Sequence, residues 1–168
     1  MAADAILTVE GEVRTRLHLS FAQLAAMPEQ AQQPDVSRLD PKRAGDAVRL
    51  AAILELAGEL PGVQWLTLHA SQDDFHASVP VAAVRERGLL IYRLAGSPLP
   101  EKAGGPIRFL IPDFAACHSS EVDECANVKF VDRIELTRSR GRDNRPQEDA
   151  QHAALHTQQQ REQNRPGG

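Results

Sequence analysis

Cysteine is scarce in this chain. Cys117 and Cys125 are the only two among 168 residues, too few for a disulfide scaffold. No apolar run approaches the roughly 18 residues of a membrane-spanning helix. The opening Met1-Ala2-Ala3-Asp4 has no basic segment leading into a long apolar core, so it does not read as a secretory signal. The expected compartment is the cytoplasm, with no membrane partner. Signatures of common chemistries are missing too: no P-loop, no G-x-G-x-x-G, no H-E-x-x-H and no G-x-S-x-G. Ser119 and Ser120 beside His118 are no triad, because sequence neighbours seldom align nucleophile, base and orienter.

What remains is ordinary for a globular protein, with 42% hydrophobic and 25% charged residues. The length suits one domain with one sizeable core. The net charge of −4 is unevenly spread. Residues 138–168 hold six Arg against four acidic residues, which leaves the body at about −6. A body of that sign argues against a nucleic-acid face.

In chain order, residues 6–13 and 14–19 alternate apolar and polar side chains, as two strands meeting near Gly11 would. Ser20 and Gln23 form a capping box ahead of Phe21, Leu24 and Ala25, and Pro28 ends that short helix. Residues 29–45 are polar, Pro-rich and without period, and read as a long loop. Its basic residues Arg38, Lys42 and Arg43 are either solvated or an anion contact. Leu50, Ile53, Leu54 and Ala57 recur at helical spacing, with Gly58 as C-cap. Residues 65–69 and 75–79 read as strands joined by an Asp73-Asp74 turn, with His69 on the exposed side. Pro80 then starts a third helix, which stops before Gly88.

Residues 89–137 organise the rest. Three apolar runs alternate with period two. Ile107, Phe109 and Ile111 point one way, Arg108 and Leu110 the other; Val128, Phe130, Ile134 and Leu136 continue the pattern. Phe109 and Phe130 are expected on adjacent strands of one sheet. Gly104-Gly105 permits a positive φ or a close backbone approach. The fold expected is α+β, a mostly β core with three short helices, over residues 6–137. Residues 138–168, with Leu155 as their one large apolar side chain, are expected to be a disordered polar tail.

The order of these pieces resembles the molybdopterin-binding domain of the sulfite oxidase type. The residues that carry it are Gly96-Ser97-Pro98-Leu99-Pro100, then Gly105-Pro106-Ile107-Arg108, Ile111-Pro112 and Val128-Lys129-Phe130-Val131-Asp132-Arg133-Ile134-Glu135-Leu136. Upstream, Leu7-Thr8-Val9-Glu10-Gly11, Val48-Arg49-Leu50 and Asp74-Phe75-His76-Ala77-Ser78 extend it. The resemblance implies a pterin cleft near His76, Ser78, Gly104, Gly105 and Arg108. It also implies a molybdenum-binding Cys before the helix at Leu50 and a His in the loop before Gly104.

Neither is here. Residues 33–45 contain no Cys, and Ala103 stands at the loop position. The function expected is therefore a stand-alone, degenerate binding or interaction module without molybdenum, serving a protein partner or a small anion. The alternative is a molybdopterin-dependent oxidoreductase with altered metal ligation, through Cys117 or Cys125. Arg108 could hold an anion bidentately, with His76 donating to it, or be a plain strand-face ion pair with His76 facing solvent. Cys117, His118 and Cys125 form a second candidate cluster. Thiolate and imidazole suit a zinc-type ion, though the spacing is no standard zinc pattern. A disulfide between the cysteines and two plain thiols remain open beside it.

Overall fold

The computed structural model describes residues 4–112 and 127–144. The order of strands and helices is β1 (Ala5–Gly11), β2 (Leu17–Ser20), α1 (Phe21–Ala25), β3 (Gln32–Gln33), β4 (Asp46–Arg49), α2 (Leu50–Ala57), β5 (Trp65–Ala70), β6 (Phe75–Pro80), α3 (Val81–Val84), β7 (Leu89–Leu94), β8 (Ser97–Pro98), β9 (Arg108–Leu110) and β10 (Arg133–Thr137). The three short helices and the strand-dominated core agree with the sequence reading. Local chemistry explains the helix ends. Ser20 N–H donates to Gln23 Oε1 at 2.8 Å and Gln23 N–H to Ser20 Oγ at 3.1 Å, so the capping box closes in both directions. Gly58 ends α2 at φ +72°, as a left-handed C-cap.

Two sheets form. The first has the order β2-β1-β10-β5-β6, with β1 and β10 parallel. The second runs β3-β4-β7-β8, and β9 also pairs with β7. The main core unites Leu7, Val9, Leu66, Leu68, Val79 and Ile134 of the first sheet with Leu90, Tyr92 and Phe109 of the second. Helix α2 adds Leu50, Ile53 and Leu54 to it. A smaller cluster of Val36, Ala47, Leu89, Ile91, Leu99 and Leu110 lies on the other face of the second sheet. The period-two reading of residues 107–111 thus holds: Ile107, Phe109 and Ile111 join the main core, and Leu110 the smaller one.

Phe130 departs from that reading. It has φ +62° and is only half-buried. Residues 127–132 are not a strand, so alternation cannot be counted through them. Val128 and Val131 fill the core instead. Their segment runs beside residues 107–109, with Phe109 N–H donating to Val128 O and Val131 N–H to Ile107 O, both at 2.8 Å. Phe109 and Phe130 are therefore not on adjacent strands of one sheet, because β9 belongs to the second sheet and β10 to the first.

The folded chain also passes the expected boundary at Thr137. Residues 138–144 lie along β6 and over the outer face of β5 and β6. Ser78 N–H donates to Asp143 Oδ2 at 3.0 Å, His76 N–H to Asn144 Oδ1 at 2.8 Å, and Asn144 N–H returns to His76 O at 3.0 Å. Gly141 sits so close that a Cβ would fall 2.1 Å from Thr67 Oγ1. The Arg140 guanidinium lies 5.6 Å from the Trp65 ring centroid. A polar composition concealed this segment, because its contacts are hydrogen bonds to an open sheet edge and not apolar burial.

Candidate functional site

Strand β9 is three residues long, yet it orients a cation of the second sheet that faces the smaller cluster. Arg108 is the register partner of Ile91 on β7, so both side chains share the face that carries the smaller cluster. Under the loop of residues 34–45 this face leaves a cavity of about 190 Å³, lined by Lys42, Arg43, Ile91, Leu94, Ala103 and Arg108 among others. The chain enters through Gly104, at φ +101°. A Cβ on Gly104 would lie 3.2 Å from Arg108 Cδ and 3.4 Å from Lys129 Cγ, so glycine leaves the Arg108 stem its place. Gly105 has a different duty. Its Cβ would fall 1.9 Å from the Leu99 carbonyl oxygen, so the close approach it permits is to the protein's own backbone.

The cavity is electrostatically unfinished. The Nε atoms of Arg43 and Arg108 are buried and have no hydrogen-bond partner among the described residues. Buried donors without acceptors are costly. Burial lowers the Arg108 pKa; the nearby Arg43 charge lowers it further, while Asp40 opposes both. No ion pair to Arg108 is present among the described residues. An oxyanion in this space would accept from both guanidinium groups and offset their mutual repulsion. Arg38 is not part of the lining; it is largely exposed and lies 3.7 Å from Asp35.

The structure does not bring His76 to this cavity. His76 is buried on β6, not solvent-facing, and His69 is buried as well, not exposed. One Nδ1–H donates across a 2.7 Å gap to the other ring's Nδ1. The sequence reading missed this pair. The signal was available in the hairpin, since an Asp73-Asp74 turn makes His69 and His76 register partners. Cys117, His118 and Cys125 lie outside the described residues. A larger groove of about 610 Å³ between Met27, Ala31, Ala52 and Leu56 has one cation in its lining, Arg49, beside the carboxylate Glu55, and Arg49 already donates to Gln30 O at 3.2 Å and Gln33 Oε1 at 2.9 Å.

The family described as "Oxidoreductase molybdopterin binding domain" matches residues 46–144. The chain belongs to this family. The matched span includes Arg108, the Gly104-Gly105 turn, both buried histidines and residues 138–144, and begins just after the loop that carries Lys42 and Arg43. The same fold occurs in the crystal structure of the sulfane dehydrogenase SoxCD from Paracoccus pantotrophus, with a TM-score of 0.58 and 19% identity. That likeness covers 83% of this chain and 40% of the other, so this molybdopterin-family domain spans less than half of that protein's length. No curated protein matches the sequence. Among the described residues, no helix is long and apolar enough to cross a membrane.

Proposed function

We propose that this chain is a binding module of the molybdopterin family which takes an oxyanion, such as the phosphate of a pterin cofactor or a free phosphate, without ligating molybdenum through a cysteine. The observation that carries the reading is that Arg43 and Arg108 line one cavity and that the buried Nε of each has no hydrogen-bond partner among the described residues. Lys42 at the rim adds a third cation. These residues suit the phosphate end of such a cofactor, and the pterin would supply its own redox chemistry if bound. Support for the loss of the metal thiolate comes from residues 33–45, which hold no Cys, and from Ala103 at the loop position. Hydroxyl and guanidinium groups there do not replace a soft thiolate. The second reading, an oxidoreductase with its metal on Cys117 or Cys125, is favoured by the family membership itself.

Two measurements on the full chain separate them. Inorganic phosphate should raise the thermal midpoint, since a ligand at about 100 times its Kd adds about 2.7 kcal/mol. Arg43→Gln and Arg108→Gln should each abolish that response. A response that survives both substitutions would remove the cavity from the function. Elemental analysis after expression in a host that makes the cofactor should find no stoichiometric molybdenum. Stoichiometric molybdenum lost on Cys117→Ser or Cys125→Ser would establish the oxidoreductase.

A further inference from the structure

His69 and His76 play no part in the cation cavity, and their arrangement has a chemistry of its own. Their rings meet edge-on, with centroids 4.9 Å apart. The two Nδ1 atoms are 2.7 Å apart. Each far nitrogen meets a carboxylate: His69 Nε2 lies 2.9 Å from Glu135 Oε1, and His76 Nε2 lies 2.8 Å from Asp74 Oδ1.

A proton count follows from these four atoms. A contact of this length between two ring nitrogens needs one proton between them. A carboxylate only accepts, so each Nε2 needs its own proton. The geometry therefore asks for three protons on four nitrogens, one more than two neutral rings carry. With that proton count the pair carries a single positive charge between two carboxylates.

Other charges surround the unit on every side. Arg133 of β10 lies 4.0 Å from Glu135 and is held by Glu10 of β1 at 2.6 Å. Asp132, before β10, accepts from the Ser71 amide and hydroxyl at 3.1 Å. Arg142 lies 3.3 Å from Asp74 Oδ1. That last contact leads into residues 138–144, where Asn144 exchanges backbone and side-chain hydrogen bonds with the main chain of His76 and with the Asp74 carbonyl.

We propose that His69 and His76 form a one-proton latch that holds the β5–β6 hairpin and the 138–144 strap together, and that uptake of one more proton releases the strap. A fourth proton would set two N–H groups against each other across the 2.7 Å gap. One ring must then turn away and give up its carboxylate. Asp74 and the His76 backbone are anchor points of the strap beside those at Ser78, so the Asn144 end of the strap loosens with the ring. Burial, the largest influence, lowers the His69 pKa, in line with resistance to that extra proton. A pair held at three protons binds fewer than two free imidazoles do below their ordinary value of about 6.5, so its stability falls as pH drops below that value.

Nitrogen NMR of the imidazoles, with amide hydrogen exchange on the full chain between about pH 8 and pH 5, tests this. Three ring N–H protons on the pair are expected at the upper end. Below about pH 6.5, where two free imidazoles would carry four protons against three on the pair, protection of the His76 and Asn144 amides should fall by up to about tenfold per pH unit after correction for intrinsic exchange. The Leu54 amide in α2 should not follow. His69→Gln keeps a donor and an acceptor but cannot titrate, and should flatten the response at Asn144. Two ring N–H protons at the upper end, or an acid response unchanged in His69→Gln, would overturn the latch. If that variant does not fold, the proton count and the exchange profile of the unaltered chain decide alone.

Discussion

Phe109 and Phe130 show how one alternating pattern can hide two environments. Phe109 is fully buried in the main core, whereas Phe130 is half-buried at φ +62° on an irregular segment. Phe109→Ala should cost about 3–5 kcal/mol, from lost transfer energy and the cavity left behind. Phe130→Ala should cost clearly less, because part of its surface is already in water and removal of the side chain leaves a smaller void. Chemical denaturation of both variants checks the order. Equal costs would mean that the half-buried ring carries as much packing as the buried one.

At the scale of elements, what the sequence made legible is what local chemistry decides. Ser20 and Gln23 are three residues apart and close the α1 box without help. The apolar stripe and Gly58 define α2 within nine residues. The burial of His69 and His76 was illegible, because their face of the β5–β6 hairpin is indeed opposite Leu66 and Leu68, but a later segment covers it. Residues 138–144 supply that cover through single polar atoms and a glycine, none of which gives a period. The cation cavity was half legible: Arg108 and the loop cations were each visible, but only the register of β9 on β7 sets them on one face. The cover makes a truncation informative. Ending the chain after Thr137 removes four hydrogen bonds to His76 and Ser78 and should cost about 2–4 kcal/mol at roughly 1 kcal/mol each. Ending it after Asn144 should leave the thermal midpoint unchanged, since residues 145–168 hold one large apolar side chain. Equal midpoints for the two truncations would show that the strap adds nothing.

For the whole molecule, the charges at the centre of the first sheet set an acid limit. Glu10 has its pKa lowered, first by the hydrogen bond from Arg133 and also by the charges of Arg133 and Arg16. A carboxyl depressed in the folded state adds stability that is complete above its ordinary value and lost as pH falls through the folded one. Glu10→Gln should therefore lower stability at neutral pH and flatten the decline below about pH 4.3. Denaturation midpoints across that range measure it; a decline as steep as in the unaltered chain would assign the acid limb to other carboxyls.

The parallel pairing of β1 with β10 sets the order in which the molecule can be made. A growing chain emerges from its N-terminal side, so β1 is out before β10. Its neighbour β10 arrives more than a hundred residues later. Until then the β1–β2 and β5–β6 hairpins each present an open edge to solvent, with no strand to join them. The first sheet cannot close before β10 has emerged, so folding waits on that strand and carries the slow rate that such distant contacts impose.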